Sequence, residues 1–198
     1  MAAIRRPMRA GYPLPRLWLL TDERQGDALW QALSELPRGS GVILRHYSLD
    51  RVRRRSFLLA ASRVARRRAL VVVLGGEQLL HPWQVSGRYG SSRHRVKGKL
   101  LAWPAHNLKE IRAGERSHAD FILLSPLFPT RSHPSVKALG CLGFAKLVRA
   151  TALPVIALGG VRREDQRQLL NLGAYGWAAI DGLTPANPGR QKRKAVPM

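Results

Sequence analysis

Short apolar runs that stop at glycine, proline or hydroxyl residues recur along this chain, with stretches of helical spacing between them. The clearest two are ADFILLSPLFPT, from Ala119 to Thr130, and PVIALGGV, from Pro154 to Val161. Each reads as a buried strand followed by a turn-forming loop, and Cys141–Ala150 between them reads as a helix. This order predicts a parallel sheet with ligand groups at the carboxyl ends of its strands.

The same pattern extends in both directions. Strands are predicted over Leu17–Thr21, Val42–Arg45, Leu70–Leu74, Val85–Tyr89, Leu100–Trp103, Phe121–Leu124, Val155–Leu158 and Ala174–Ile180. Helical spacing marks Asp27–Leu36, Leu49–Arg68, Asn107–Arg116 (with Asn107 as its cap) and Arg162–Leu172, and Glu77–Trp83 reads as a short helix. In the second of these, Leu49, Val52, Leu59, Ala60 and Val64 are expected to form the buried face. Arg51, Arg53, Arg54, Arg55, Arg63, Arg66 and Arg67 are expected mostly to face solvent. Eight strands at this spacing favour a compact (β/α)8 TIM barrel, irregular around strands three to five, over a flavodoxin-like or Rossmann-like sheet. No G-x-G-x-x-G follows an early strand, so no dinucleotide site is predicted. The expected organisation is a basic extension over residues 1–16, a barrel over 17–183 and a disordered basic tail over 184–198.

Composition narrows the function classes. The chain of 198 residues carries 34 Lys+Arg against 12 Asp+Glu, a formal charge of +22. That balance favours phosphorylated ligands and admits nonspecific nucleic-acid binding through the basic surface, although arginine-rich composition alone also produces it. No apolar run reaches the roughly 18 residues that span a bilayer. The basic start has no signal-peptide core after it, so a cytoplasmic location is expected. The lone Cys141 leaves no internal disulfide and no cysteine metal site. A homo-oligomer is compatible with everything above.

Candidate chemistry sits at the predicted strand ends. Gly159-Gly160 would let backbone N–H groups approach an anion, helped by a helix start, or would simply make a tight turn. Thr130, Ser132 and His133 could hydrogen-bond phosphate oxygens, or only solvate their loop. Arg45, ending strand two, suits bidentate phosphate contact, with an ion pair as the competing reading. His106 is either a ligand contact or a loop histidine. His81, His94 and His118 lack metal-ligand spacing, and no carboxylate pair is evident for acid/base work or magnesium. Asp120 is placed at the start of strand six, away from the ligand side.

Taken together, these segments resemble the thiamine phosphate synthase/TenI family of (β/α)8 barrels. The likeness runs from Leu17–Asp22 (an "LYLVTD"-like opening) and Val42–Arg45 ("VQLR"-like) through Ala105-His106-Asn107. It continues in Ala119–Thr130 ("ADYIGVGPVFPT"-like), Leu158–Val161 ("IGGI"-like) and Gly173–Ile180. The resemblance implies thiamine biosynthesis: a transferase joining a pyrimidine diphosphate to a thiazole phosphate with magnesium. It implies pyrophosphate contact by Arg45, hydroxyl contacts by Thr130 and Ser132, and a backbone contact to the thiazole phosphate at Gly160. Catalysis would rest on positioning and charge neutralisation.

The departures from that pattern fall on the metal side. The family's strand-three "ND" is Leu74-Gly75 here, and its "GVHLGQ-x-D" corresponds roughly to Gly87–Arg93, so both magnesium aspartates are missing. Ile43 replaces a glutamine, Tyr47 a lysine, His133 a lysine and Asp181 a serine. No cofactor is therefore evident. Three readings follow: a synthase with altered metal use, a phosphate-ligand-binding or regulatory barrel without synthase activity, and a basic nucleic-acid-associated protein.

Overall fold

The computed structural model describes residues 13–76, 85–91, 96–130 and 136–185. Eight parallel strands close into one barrel in sequence order. They are β1 (Leu17–Leu20), β2 (Gly41–Leu44), β3 (Val71–Gly75), β4 (Gly87–Tyr89), β5 (Leu100–Ala105), β6 (Phe121–Leu124), β7 (Val155–Ala157) and β8 (Gly176–Ala179). Closure comes from β8 pairing with β1, Leu17 opposite Trp177. Five helices lie outside: α1 (Ala28–Glu35), α2 (Arg51–Arg67), α3 (Leu108–Arg116), α4 (Gly140–Arg149) and α5 (Gln166–Asn171). The fold is the predicted (β/α)8 barrel, with strand ends within a residue or two of expectation. The short helix expected over Glu77–Trp83 lies outside the described residues. Among the described residues, no helix is long and apolar enough to cross a membrane.

Alternation along the strands sorts the core into layers, because successive side chains of a strand point to opposite faces. Trp18, Leu20, Ile43, Val73, Leu100, Ala102, Phe121, Leu123, Ile156 and Ala178 fill the barrel interior. Their neighbours point outward to the helices, in one cluster around β1–β3 and another around β5–β8. The interior is crowded by Trp18 and Phe121, whose rings lie 4.9 Å apart. Gly41 makes this fit: a methyl group there would run into the six-membered ring of Trp18. The Trp18 indole N–H, sealed inside, donates to the Pro15 carbonyl at 2.8 Å, as a buried donor must.

The buried face of α2 differs from the sequence expectation. Arg54, Leu58, Ala61, Ser62 and Ala65 face the sheet, at spacings of four, three, one and three. Val52, expected inside, is 76% exposed, and Leu49, Leu59, Ala60 and Val64 are only half-buried. Small residues on the inner face let the helix approach the strands, while the bulkier residues flank it. Arg54 goes inside because strand ends offer it acceptors: its Nε donates to the Arg45 carbonyl at 3.1 Å and its Nη2 to that of Gly75. Asn107 caps α3 as expected, its side chain accepting from the Glu110 N–H at 3.0 Å. Asp120 sits at the amino end of β6 and accepts from the Leu101 N–H at 2.8 Å, a structural role on the side away from the mouth.

Replacing Gly41 by alanine tests the packing of the interior. Gly41→Ala is expected to lower the unfolding free energy by about 1–3 kcal/mol, read as a fall in the urea midpoint at unchanged slope.

Candidate functional site at the carboxyl ends of the strands

The interior register carries one step past each strand to the mouth of the barrel. Continuing the alternation places Asp22, Arg45, Gly75, Tyr89, Ser125, Leu158 and Ile180 inward, as the floor of that mouth. Two arcs with different chemistry result.

The first arc spans β5 to β7. The Gly159-Gly160 turn follows β7 with φ of +96° and +66°, backbone that side chains rarely adopt. A Cβ on Gly159 would lie 2.7 Å from Pro126 Cα, and one on Gly160 2.6 Å from the Pro129 carbonyl oxygen. The turn is thus laid directly on the loop after β6. That loop is tied to it by Leu127 N–H to Leu158 O at 2.9 Å and Phe128 N–H to Gly159 O at 3.0 Å. Neither glycine N–H meets an acceptor among the described residues. The element that follows begins as a 3-10 turn, Arg163–Asp165, and α5 has only six residues. The helix start expected to reinforce anion binding is therefore weak, and the backbone N–H groups carry that capacity. Thr130 stands half-buried at the end of the described part of the loop after β6. His106, just past β5, is pinned by its Nδ1 to the Ser125 carbonyl at 2.7 Å.

The second arc spans β1 to β4. Arg45 does not reach freely across the mouth. Its Nε donates to the Thr21 carbonyl at 2.8 Å, and its Nη2 pairs with Asp22 at 3.1 Å. Arg24 binds the same carboxylate at 2.7 Å. Burial alone would push the Asp22 carboxyl up, but the hydrogen bonds from Arg24 and the charges of Arg24 and Arg45 outweigh it and hold the group below its usual value. Glu23 is also committed, accepting from the Ser48 N–H and hydroxyl at 3.0 and 2.9 Å. His46 is buried at φ +47°, stacked on Phe57 at 3.7 Å and hydrogen-bonded to the Thr21 hydroxyl at 3.1 Å. Tyr47 covers Gly75 and Gly76, with the Arg54 guanidinium 5.4 Å from its ring centre.

Of the residues singled out from sequence, Thr130, Gly159 and Gly160 share one arc, with His106 beside them. Arg45 lies on the opposite side, since β2 and β6 are four strands apart in the closed ring. Ser132 and His133 lie outside the described residues. Sequence reasoning missed Thr21, His46, Tyr89 and the buried Arg54. The apolar stripe Leu58, Ala61 and Ala65, four to eleven positions beyond Arg54, was the available signal for the last.

Magnesium does not fit the described residues. The inward position at the end of β3 is a glycine, and the carboxylates nearby are engaged by arginines or Ser48. Among the described residues no group of three His, Cys, Asp or Glu could hold a metal ion.

Comparison with known proteins bears on the same segments. The family profile described as thiamine monophosphate synthase matches residues 80–183, just over half of the chain. A thiamine-phosphate synthase of Caldivirga maquilingensis is 31% identical over 94 residues, 48% of this chain and 46% of that protein. One from Anoxybacillus flavithermus is 32% identical over 96 residues, 48% of this chain and 44% of that protein. The chain thus matches less than half the length of these curated relatives. In solved structures, thiamine phosphate pyrophosphorylase from Pyrococcus furiosus superposes with a TM-score of 0.73 at 19% identity, covering 90% of this chain and 91% of that one. This last likeness is one of fold.

The His46 environment yields a pH prediction. Burial holds its imidazole below the ordinary histidine value of 6.5, against the pull of Glu23 and Asp22 and with the push of Arg45 and Arg54. A depressed histidine stabilises the fold above its unfolded pKa, and that contribution is lost as pH falls from about 6.5 towards the folded value. Asp22 and Glu23 act only in a lower window, because their pKa values are depressed from 3.8 and 4.5. The melting temperature of the wild type should therefore fall from about pH 7.5 to about pH 5.5. His46→Asn, which tolerates left-handed backbone, should lose visibly less over that interval.

Proposed function

The chain belongs to the thiamine monophosphate synthase family, and from that membership we propose that it holds a phosphorylated thiazole- or pyrimidine-type ligand at the barrel mouth without magnesium-dependent condensation. The observation that carries this reading is the Gly159-Gly160 turn. Its two left-handed residues are laid on the loop after β6 with their N–H groups unengaged among the described residues. Successive backbone N–H groups in such a turn form a concavity suited to phosphate oxygens. The binding energy on this side comes from neutral donors, which position a phosphate without needing a counter-ion.

Condensation would demand more. A pyrimidine diphosphate must lose pyrophosphate, and the charge developing on that leaving group has to be met as it departs. Among the described residues no carboxylate stands at the ends of β3 and β4, which supports binding in place of metal-assisted transfer. Were the chain active, it would be a transferase joining a pyrimidine diphosphate to a thiazole phosphate.

Incubation of the purified protein with both phosphorylated precursors, with and without magnesium, separates these readings. No thiamine phosphate above the metal-free control is expected, and magnesium-dependent product would overturn the proposal. Thiazole phosphate at about a hundred times its Kd should stabilise the protein by about 2.7 kcal/mol. Gly160→Ala, which puts a methyl group 2.6 Å from the Pro129 oxygen on left-handed backbone, should abolish that stabilisation while circular dichroism still reports the fold.

The outer face of α2 supports a weaker, secondary association. Arg51, Arg55, Arg63 and Arg67 recur at intervals of four, eight and four residues on exposed positions. Binding of duplex DNA through this stripe should vanish as salt rises to physiological strength, as gel shifts across a salt series would display.

A further inference from the structure

Between β2 and β4 the mouth has a gap where a side chain is missing, and a phenol fills it. Gly75 is the inward residue at the end of β3, and the Tyr47 hydroxyl occupies the space its side chain would need. The backbone confirms the tightness, with Leu44 O only 3.3 Å from the same point. Arg54 fixes the approach of that tyrosine: it bonds the carbonyls of Arg45 and Gly75 from beneath and lies against the Tyr47 ring. Tyr89, paired in register with Gly75, faces the same space from β4. Burial pushes its hydroxyl up to about 12 despite the opposing charge of Arg45, so it remains a proton donor throughout the neutral range.

A hard divalent cation wants several oxygen ligands, carboxylates above all. The carboxylate on this arc of the floor, Asp22, is bound by Arg24 at 2.7 Å and Arg45 at 3.1 Å. Recruiting it to a metal would break two ion pairs and set a divalent cation beside two guanidinium groups. An oxyanion meets the opposite situation: two phenol donors and the edge of a guanidinium, with Asp22 and Glu23, the described carboxylates of this arc, already engaged.

We propose that Tyr47 and Tyr89, with the Arg45 guanidinium, receive an oxyanion of the phosphorylated ligand directly, in the place where a carboxylate-bound metal would otherwise stand. The ligand class is a phosphate monoester or diphosphate, bound without a divalent cation. This rests on the reading that the mouth holds a phosphorylated ligand.

Calorimetric titration of the full chain with inorganic pyrophosphate, in EDTA and in saturating magnesium, tests it. The expected result is binding in EDTA at least as tight as in magnesium. Binding confined to the magnesium buffer would overturn this inference alone; no binding in either buffer would overturn it together with the phosphate-ligand reading. In EDTA, Tyr47→Phe and Tyr89→Phe should each weaken pyrophosphate about tenfold, the scale of a lost hydrogen bond to a charged acceptor. Unchanged affinity in both would sink the proposal. A stability cycle checks the geometry independently of any ligand. Gly75→Ala should destabilise the wild type markedly and the Tyr47→Ala background much less; equal effects in the two would mean that the phenol does not fill that space.

Discussion

The barrel depends on one steric accommodation in its interior. Trp18 is fully buried and projects across the first strand pair into space that only the absence of a side chain at Gly41 leaves open. A closed eight-strand barrel has a fixed interior volume, filled by side chains from alternate positions. With an indole and the Phe121 ring packed 4.9 Å apart, the remaining interior positions must be small or aliphatic, and Ala102, Ala178 and Val73 are. That packing fixes which residues point inward on each strand, and so fixes what stands at the mouth.

The mouth is divided by its chemistry. Backbone donors and a hydroxyl gather on the β5–β7 side, where two glycines are pressed against the loop after β6. On the β1–β4 side there are arginines, phenols and a buried histidine, held by Thr21, Asp22 and the carbonyls at the ends of β2 and β3. The carboxylates of that side are taken up: Asp22 binds two arginines and Glu23 accepts from Ser48. What is left over is hydrogen-bond donation, and a site rich in donors with its carboxylates engaged selects anions over cations.

This balance gives physical content to the departures from the family pattern. Loss of a metal carboxylate by itself would leave a void and an unsatisfied mouth. Here the glycine at the end of β3 is matched by a tyrosine from the β2 loop and an arginine from the first turns of α2. Tyr47, Arg54 and Gly75 thus meet in one small volume.

Much of this was legible in the chain itself. The strands announced themselves as apolar runs ended by glycine, proline or hydroxyl residues, because a strand buried on both faces needs such a run and a tight turn needs such punctuation. Asn107 as a cap and Gly159-Gly160 as a special turn were equally local facts. The face of α2 was not local: Val52 and Arg54 exchanged their expected places because carbonyl acceptors on β2 and β3 made burial of a guanidinium favourable. Nor could Arg45 be resolved from sequence, since the competing roles of phosphate contact and ion pair differ only in where Asp22 lies. The sequence by itself determined the elements, their order and the barrel, since those follow from periodicity along the chain. Tertiary structure alone decided which polar groups at the mouth are already engaged with one another, because that depends on strand ends brought together from distant parts of the chain.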